Sequence, residues 1–442
     1  MANVIPFRGV LYNPVLVNDM ARVVAPPYDV IDGELQRALH ARHPNNVIRL
    51  ELGMDHPGDG PSQNRYTRAA SSLRDWLATG ILRRDPEPAI YLHTIEFRMS
   101  PGDAGEASRV LKGFLATVEL EEFGTGRIFP HEGTRSAAKA DRLKLLENCR
   151  ANFSPIFSIF SDPGGRVTQL LEKSVNTDQP RVDFLDDSGF RQRLWAVTDR
   201  AILREIAQVM EGTPLFIADG HHRYETALTY RRFRRQQAGR PASGDLQPSD
   251  VVLMLCASLD DPGLTVLPTH RVLRTPVPAV SGIKDLLREA FEFEEIPVQD
   301  HTEPETRRRF LQTLRARGQS GPVFGLALRG FHAYLLLALR PNHRDATGTS
   351  VRERLDVSIL QNLVLRKLYP SESDEEAIQY TQDENEALDL VRRGGAEAAL
   401  LLNPTKVSEV LAVAASGERM PHKSTYFYPK PLTGLVMNVF ED

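Results

Sequence analysis

The sequence predicts a mixed α/β protein of the α+β type, with a smaller C-terminal α/β unit. Three observations lead there. At 442 residues the chain exceeds the size at which a single core keeps growing, so two or three domains are expected. Apolar residues make up 41% and charged residues 25%, an ordinary globular balance that excludes disordered and fibrous classes. Strand-like and helix-like periods also alternate along the chain.

In chain order, "VIPFRGVLY" has the character of a short strand, and "VVAPPYDVID" is a rigid Pro-Pro turn leading to a helix start at Asp32. "NVIRLELG" alternates like a half-buried strand, whereas "RYTRAASSLRDWLATGIL" repeats apolar residues at helical spacing. "AIYLHTIEFRM" and "LKGFLATVEL" are expected to pair across the polar "SPGDAGEASR". A helix over "SAAKADRLKLLENCRAN", a strand at "SPIFSIFSD" and a helix from about Asp199 to Met210 follow. Next come the strand "PLFIA" and a helix after "DGHHR". "VVLMLCASL" and "LTVLPTHRVL" are expected to form a further strand pair. Beyond "RTPVPAVSG", "GPVFGLALRGFHAYLLLAL" has the form of a hairpin and "SEVLAVAASG" of a helix. The polar "RRFRRQQAGRPASGDLQPSD" is the expected mobile surface loop, cut first by proteases within Arg235 to Asp250. The domain boundary falls near residue 276, giving domains 1–275 and 276–442, with loop 420–434 returning to the first domain.

The bulk properties bound the function. A formal net charge of −4 argues against an obligate nucleic-acid binder, which usually carries a basic excess. Only two cysteines occur, Cys149 and Cys256, in no paired metal or redox spacing, as expected of a cytoplasmic chain without disulfides. "MANVIPFRGVLYNP" lacks the basic start and apolar core of a signal peptide, and no apolar run approaches the roughly 18 residues that span a bilayer. A membrane partner is therefore not expected, and the oligomeric state stays open.

One short stretch concentrates the chemistry. "PLFIADGHHRYETAL" places Asp219, Gly220, His221, His222 and Arg223 between a buried strand and a helix. A helix start presents unpaired amides and the positive end of its dipole, a ready anion site. Gly220 lets the backbone approach a ligand, and Arg223 offers two donors to a phosphate or carboxylate. Asp219 fits a metal ion, a sugar hydroxyl or a histidine better than an anion, although it could equally cap the helix. "FPHEGTRSAAKADRLKLL" adds His131, as proton donor or metal ligand, and Glu132, as a general base, with Arg142 in the following helix. "LPTHRVL" adds His270 and Arg271, and the irregular "MPHKSTYFYPKPLTGLV" adds Lys423, Thr425 and Lys430. The P-loop, zincin, nucleophile-elbow and dinucleotide fingerprints are all missing from the sequence. Adjacent histidines point in different directions, so a structural zinc site at His221 and His222 is not expected.

Taken together, "PFRG", "APPYDVI", "NVIRLELG", "PHEGT", "DRLKLL", "ANFSPIF", "ADGHHRYETAL", "LPTHR", "MPHKSTYFYPK" and "GLV" resemble the bacterial domain-of-unknown-function 1015 family, from Pro6 to Val436. More distantly, strand, "DGHHR" and helix are similar to the phosphate-binding turn of the ParB and sulfiredoxin-like superfamily. That superfamily includes ParB nucleotidases, sulfiredoxin and the ADP-dependent free serine kinases. The resemblance implies a ParB/sulfiredoxin-like core with insertions, in which Asp219 to Arg223 line a phosphoryl-transfer site for ADP or ATP. It favours Mg²⁺, with Asp219 as its ligand; Arg142, His270, Arg271, Lys423, Thr425 and Lys430 are the further candidate cofactor contacts. The kinase glutamate lies outside the motif; Glu51 and Glu132 are candidates, with Glu132 preferred because it follows a histidine. Family members are often encoded beside serine-biosynthesis enzymes, which points to serine or phosphoserine.

Three functions are carried forward. The first is a small-molecule kinase or phosphotransferase using a nucleotide and Mg²⁺. The second is a metal-assisted phosphatase on a phosphoserine-like substrate. The third is a non-catalytic regulatory nucleotide binder, for which "TYRRFRRQQAGR" would be the only basic DNA-contact helix. One geometric expectation goes with them: the Glu132 segment, the "DGHHR" turn and the Lys423 loop meet in one cleft.

Overall fold

The apolar, β-branched and aromatic runs "IYLHTIEF" and "RVLKGFLATVE" form two long, largely buried strands that anchor the first sheet. The computed structural model describes residues 3–99, 107–134, 136–237, 246–344, 348, 350–369 and 378–441. Two units are distinguished. Unit 1 comprises Met1–Pro130, Thr134–Thr265 and Pro429–Asp442, and unit 2 comprises His131–Gly133 and Val266–Tyr428.

The strands of unit 1 are β1 (Val4–Ile5), β2 (Val10–Tyr12), β3 (Leu82–Arg84), β4 (Ile90–Phe97), β5 (Arg109–Glu119), β6 (Ile128–Pro130), β7 (Ala151–Asn152), β8 (Ile156–Phe160), β9 (Val182–Leu185), β10 (Arg191–Val197), β11 (Leu215–Asp219) and β12 (Val251–Ser258). Nine of them form one mixed sheet in the order β6-β11-β8-β12-β5-β4-β10-β9, with β1 paired to β5. β4 and β5 pair antiparallel, Tyr91 opposite Leu115, as expected of two strand-like runs joined by a polar, Gly-containing stretch. The parallel pairs are β6 with β11 and β8 with β12.

The helices of unit 1 are α1 (Gly33–Arg42), α2 (Ile48–Glu51), α3 (Arg65–Ala78), α4 (Ser136–Cys149), α5 (Arg166–Lys173), α6 (Arg200–Met210) and α7 (His221–Gln237). Side-chain caps fix several starts: Asp32 accepts from the Leu35 amide and Asp199 from Ala201. α5 and α6 bury Val167, Leu171, Leu203 and Ile206 with the sheet, and Tyr224 and Leu228 of α7 join the same core. A second core gathers Leu39, Leu73, Trp76, Leu145 and Phe153 from α1, α3, α4 and the segment after β7.

Three expectations are corrected. "NVIRLELG" forms the buried one-turn helix α2 and no strand, because the Asn46 side chain accepts from the Ile48 amide and turns the chain. "VIPFRGVLY" divides into β1 and β2, which pair in different sheets. "VVLMLCASL" (β12) and "LTVLPTHRVL" do not pair: β12 has β5 on one edge and β8 on the other, which leaves no edge for a hairpin partner.

Unit 2 is a six-stranded antiparallel sheet ordered Phe291–Pro297, Ala333–Leu339, Val323–Leu328, Ala398–Leu401, His270–Leu273, Ile378–Thr381. Its hairpin of Val323–Leu328 with Ala333–Leu339 is the one expected from "GPVFGLALRGFHAYLLLAL". Helices α8 (Val280–Leu287), α9 (Glu303–Gly318), Glu384–Arg392 and Val407–Ala415 belong to this unit, and its core includes Phe310 stacked on Tyr334 with centroids 4.6 Å apart. The centre of the expected Arg235 to Asp250 loop, residues 238–245, lies outside the described residues, as do residues 100–106 between β4 and β5. Both cysteines are buried and unbonded. Among the described residues, no helix is long and apolar enough to cross a membrane.

Candidate functional site

β11 ends at Asp219 and α7 begins at His221, so one residue makes the turn between them. Gly220 has φ +94°, a conformation that costs any residue with a side chain, and a Cβ there would meet the Arg223 guanidinium at 3.0 Å. The Gly220 carbonyl accepts the Tyr224 amide at 3.0 Å and starts the helix. This local geometry fixes where Asp219 and Arg223 stand.

Asp219 is doubly bound. Its Oδ1 accepts from Lys430 Nζ at 2.6 Å, and its Oδ2 accepts from Arg223 Nη2 at 2.7 Å. Lys430 also reaches Asp29 Oδ2 at 3.1 Å, and Arg223 Nη1 donates to the Pro155 carbonyl. The Asp219, Arg223 and Lys430 side chains are 15%, 11% and 9% exposed, so this is a largely buried ion-pair network with little solvent screening. Burial opposes the Asp219 carboxylate, but Lys430 and Arg223, with a smaller contribution from His221, outweigh it and hold the group ionised well below the usual carboxylate range.

A second charged cluster belongs to the same unit. Arg142 Nη1 donates to the Glu51 carbonyl at 2.9 Å and to its Oε1 at 3.2 Å, while Ser154 Oγ donates to the same Oε1 at 2.9 Å. Arg142 Nε donates to Asp141 Oδ2 at 2.8 Å, and its guanidinium lies 4.3 Å from the centroid of the Tyr28 ring. Burial pushes the Tyr28 phenol up to about 12, and Arg223 and Arg142 pull the other way, so this ring senses both clusters. Between them is a cavity of about 40 Å³, bordered by Glu51, Arg142, Ser154, Arg223 and Thr226. That volume admits water and no nucleotide. Beside the turn, Glu225 of α7 accepts from Thr134 Oγ1 at 2.7 Å and from Lys139 Nζ at 2.8 Å. His221 is buried, and His222 is half-buried in the first turn of α7.

The other sequence-predicted residues gather in unit 2. Glu132 Oε1 accepts the Lys423 amide at 2.6 Å and lies 3.5 Å from His422 Nδ1. Lys423 has φ +57°, a strained conformation for a residue with a side chain. His131 is buried with Nε2 2.9 Å from Thr425 Oγ1. Arg271 donates to the carbonyls of Thr269 and Lys423. His270 Nδ1 accepts the Leu402 amide at 3.2 Å, and burial pushes this imidazole down to about 4, with Arg271 adding to the effect.

The structure thus places Asp219, Gly220, Arg223 and Lys430 together, with Arg142 nearby, in one unit, and Glu132, His131, Lys423, Thr425, His270 and Arg271 in the other. The C-terminal segment 420–434 is divided, with Lys423 and Thr425 in unit 2 and Lys430 in unit 1. Asp219, the residue taken as metal ligand, has both oxygens engaged by cations. Among the described residues, no group of three or more histidine, cysteine, aspartate or glutamate side chains could hold a metal ion. Sequence reasoning assigned no role to Tyr28, Asp29, Ser154 or Pro155; their signal was the irregular Pro-containing context of "APPYDVI" and "ANFSPIF".

Several solved structures are similar at low scores. A free serine kinase mutant in complex with ADP is 12% identical with a TM-score of 0.37, over 74% of this chain and 92% of that one. A conserved hypothetical protein from Pyrococcus furiosus is 14% identical with a TM-score of 0.35, over 74% and 95%. SbnI with a C-terminal truncation, from Staphylococcus aureus, is 11% identical with a TM-score of 0.34, over 72% and 85%. No curated protein matches the chain. Residues 4–358 match the family described as protein of unknown function (DUF1015), and the chain belongs to that family.

Proposed function

We propose that the turn after β11 is the phosphate-binding turn of a ParB/sulfiredoxin-like core, and that the protein is a small-molecule phosphotransferase. In this reading it is a kinase using ADP or ATP on serine or a serine-like acceptor. The observation that supports it most is convergence: Asp29, Pro155, Asp219, Arg223 and Lys430, from four well-separated segments, bond one another at the amino end of a 17-residue helix. An ordinary helix cap needs none of these partners.

Without ligand, Asp219 compensates two buried cations that would otherwise be costly. A phosphate at the turn offers competing oxygens, and Arg223 and Lys430 exchange onto it while the helix dipole favours the added negative charge. Charge neutralisation and in-line positioning then supply most of the rate. In the transfer, an acceptor hydroxyl oxygen bonds to the terminal phosphorus and the bond to the nucleotide's bridging oxygen breaks. The hydroxyl proton passes to a carboxylate. The residues of this turn do not fit a magnesium site, since both Asp219 oxygens hold cations, and no step is routed through that ion.

The test combines binding with product detection. Thermal shift with ADP, ATP, serine and phosphoserine, with and without Mg²⁺, identifies ligands that bind the folded chain. Mass spectrometry then looks for phosphoserine formed from serine and nucleotide. Arg223→Ala is expected to weaken nucleotide binding by about one to two orders of magnitude, the worth of one charged hydrogen bond. Glu51→Gln and Glu132→Gln ask which carboxylate takes the proton. If no nucleotide raises Tm and no phosphoryl transfer occurs, the turn is architecture and the kinase reading falls.

A further inference from the structure

Arg271 is the odd cation of unit 2. It is 3% exposed, yet no carboxylate pairs with it among the described residues. Its guanidinium donates to two main-chain carbonyls, those of Thr269 and Lys423, and faces the Tyr380 ring at 5.5 Å. The remaining guanidinium N–H groups have no acceptor among the described residues. Burial pulls this group down to about 10, and the nearby Tyr380 phenol only partly offsets it. Burying a cation without a counter-charge is unfavourable, and proteins keep such a group where a ligand supplies the charge.

The neighbouring turn has the same character. Lys423 adopts a left-handed conformation that L side chains avoid, held by its amide on Glu132 and its carbonyl on Arg271. Ser424 closes the turn onto the Pro421 carbonyl, and Thr405 Oγ1 donates to the Ser424 carbonyl at 2.9 Å. Lys423 itself is half-buried and no carboxylate pairs with its ammonium among the described residues. Arg271 and Lys423, neither paired with a carboxylate among the described residues, therefore meet at one locked turn, where the Glu132 carboxylate is committed to the Lys423 amide and His422. The buried hydroxyl of Thr269 has no hydrogen-bond partner among the described residues and lies two residues from Arg271.

We propose that Arg271 and the Lys423 turn form an oxyanion-binding site in unit 2, built for a phosphate or carboxylate group and independent of the turn after β11. Planar guanidinium donors suit both groups, and an arriving anion would supply the counter-charge that the fold withholds. Nothing in this inference depends on the kinase reading.

The experiment is titration calorimetry on the full chain with inorganic phosphate and, separately, acetate, at constant ionic strength set by chloride. The expected result is saturable binding of at least one of the two to wild type, weakened at least tenfold in Arg271→Gln, the loss of one charged contact. Arg223→Gln should keep that Arg271-dependent binding, which separates this site from the one in unit 1. Phosphate binding without acetate binding identifies a phosphoryl ligand, and the reverse a carboxylate. Lys423→Gln, on a half-buried turn, serves should Arg271→Gln not fold, and it too should weaken binding. Wild-type affinity in a folded Arg271→Gln or in Lys423→Gln, or no binding of either anion to wild type, overturns the site.

Discussion

Replacing Asp219 by asparagine tests the ion-pair network directly. From sequence alone, asparagine should spare the fold, since it caps helices about as well as aspartate. The structure corrects that expectation, because Asp219 accepts two charged hydrogen bonds in a buried setting, from Lys430 at 2.6 Å and Arg223 at 2.7 Å. Asparagine keeps one acceptor oxygen, turns an amide donor toward a cation and removes the charge that Asp219 sets against both Lys430 and Arg223, while Lys430 keeps Asp29 and Arg223 keeps the Pro155 carbonyl. Breaking a buried ion pair by removing one partner costs about 3–5 kcal/mol. With a urea slope of about 3 kcal/mol per molar, the midpoint should fall by about 1 M or slightly more. Tryptophan fluorescence is the assay of choice, because both tryptophans, Trp76 and Trp195, lie in unit 1 and report on the unit that contains the substitution. A double-mutant cycle with Lys430→Met sharpens the result: removing one of the two cations should make the double variant less destabilised than the sum of the singles, by about 1–3 kcal/mol. A midpoint change below about 0.2 M in Asp219→Asn, with additive doubles, would refute the reasoning, since that is the behaviour of an exposed cap.

Stability should also depend on two buried histidines. His93, bonded to Gln192 at 2.8 Å, is pushed down to about 4 by burial, as is His270. Because the folded value lies below the unfolded value of about 6.5, each contributes stability that is complete above pH 6.5 and lost as pH falls toward 4, by up to about 3 kcal/mol. His93→Gln should flatten the pH dependence of the tryptophan-detected midpoint between pH 6.5 and 4 relative to wild type; parallel profiles would contradict the burial argument. Gly220→Ala is expected to cost about 1–2 kcal/mol in urea unfolding, since φ +94° is unfavourable for alanine and the new methyl presses on Arg223; a neutral outcome would mean the turn relaxes.

Much of the local structure was legible in the sequence because it is encoded by neighbours. Asp32 and Asp199 announced their helices by capping chemistry, α3 followed from periodicity, and the β4–β5 pair from two strand-like runs joined by a polar stretch. Gly220 marked a turn that only a residue without a side chain makes cheaply. "NVIRLELG" misled because four helical residues are too few to show a period, and Asn46 decides the turn through contacts with Arg22 and Val24 in another segment. The charged residues of the turn could be named from sequence, but not their partners. Asp219 finds Lys430 from 211 positions away, and Glu51 finds Ser154 from 103, because tertiary pairings such as Asn438 with Asn152 and Ala25 with Thr433 draw segments distant in sequence together. Coulombic and hydrogen-bond partners act over a few ångströms in space and carry no trace in local spacing. Residue types and turn geometry were therefore determined by the sequence itself, while only the tertiary structure decided which cation each carboxylate neutralises, and that Arg271 has none among the described residues.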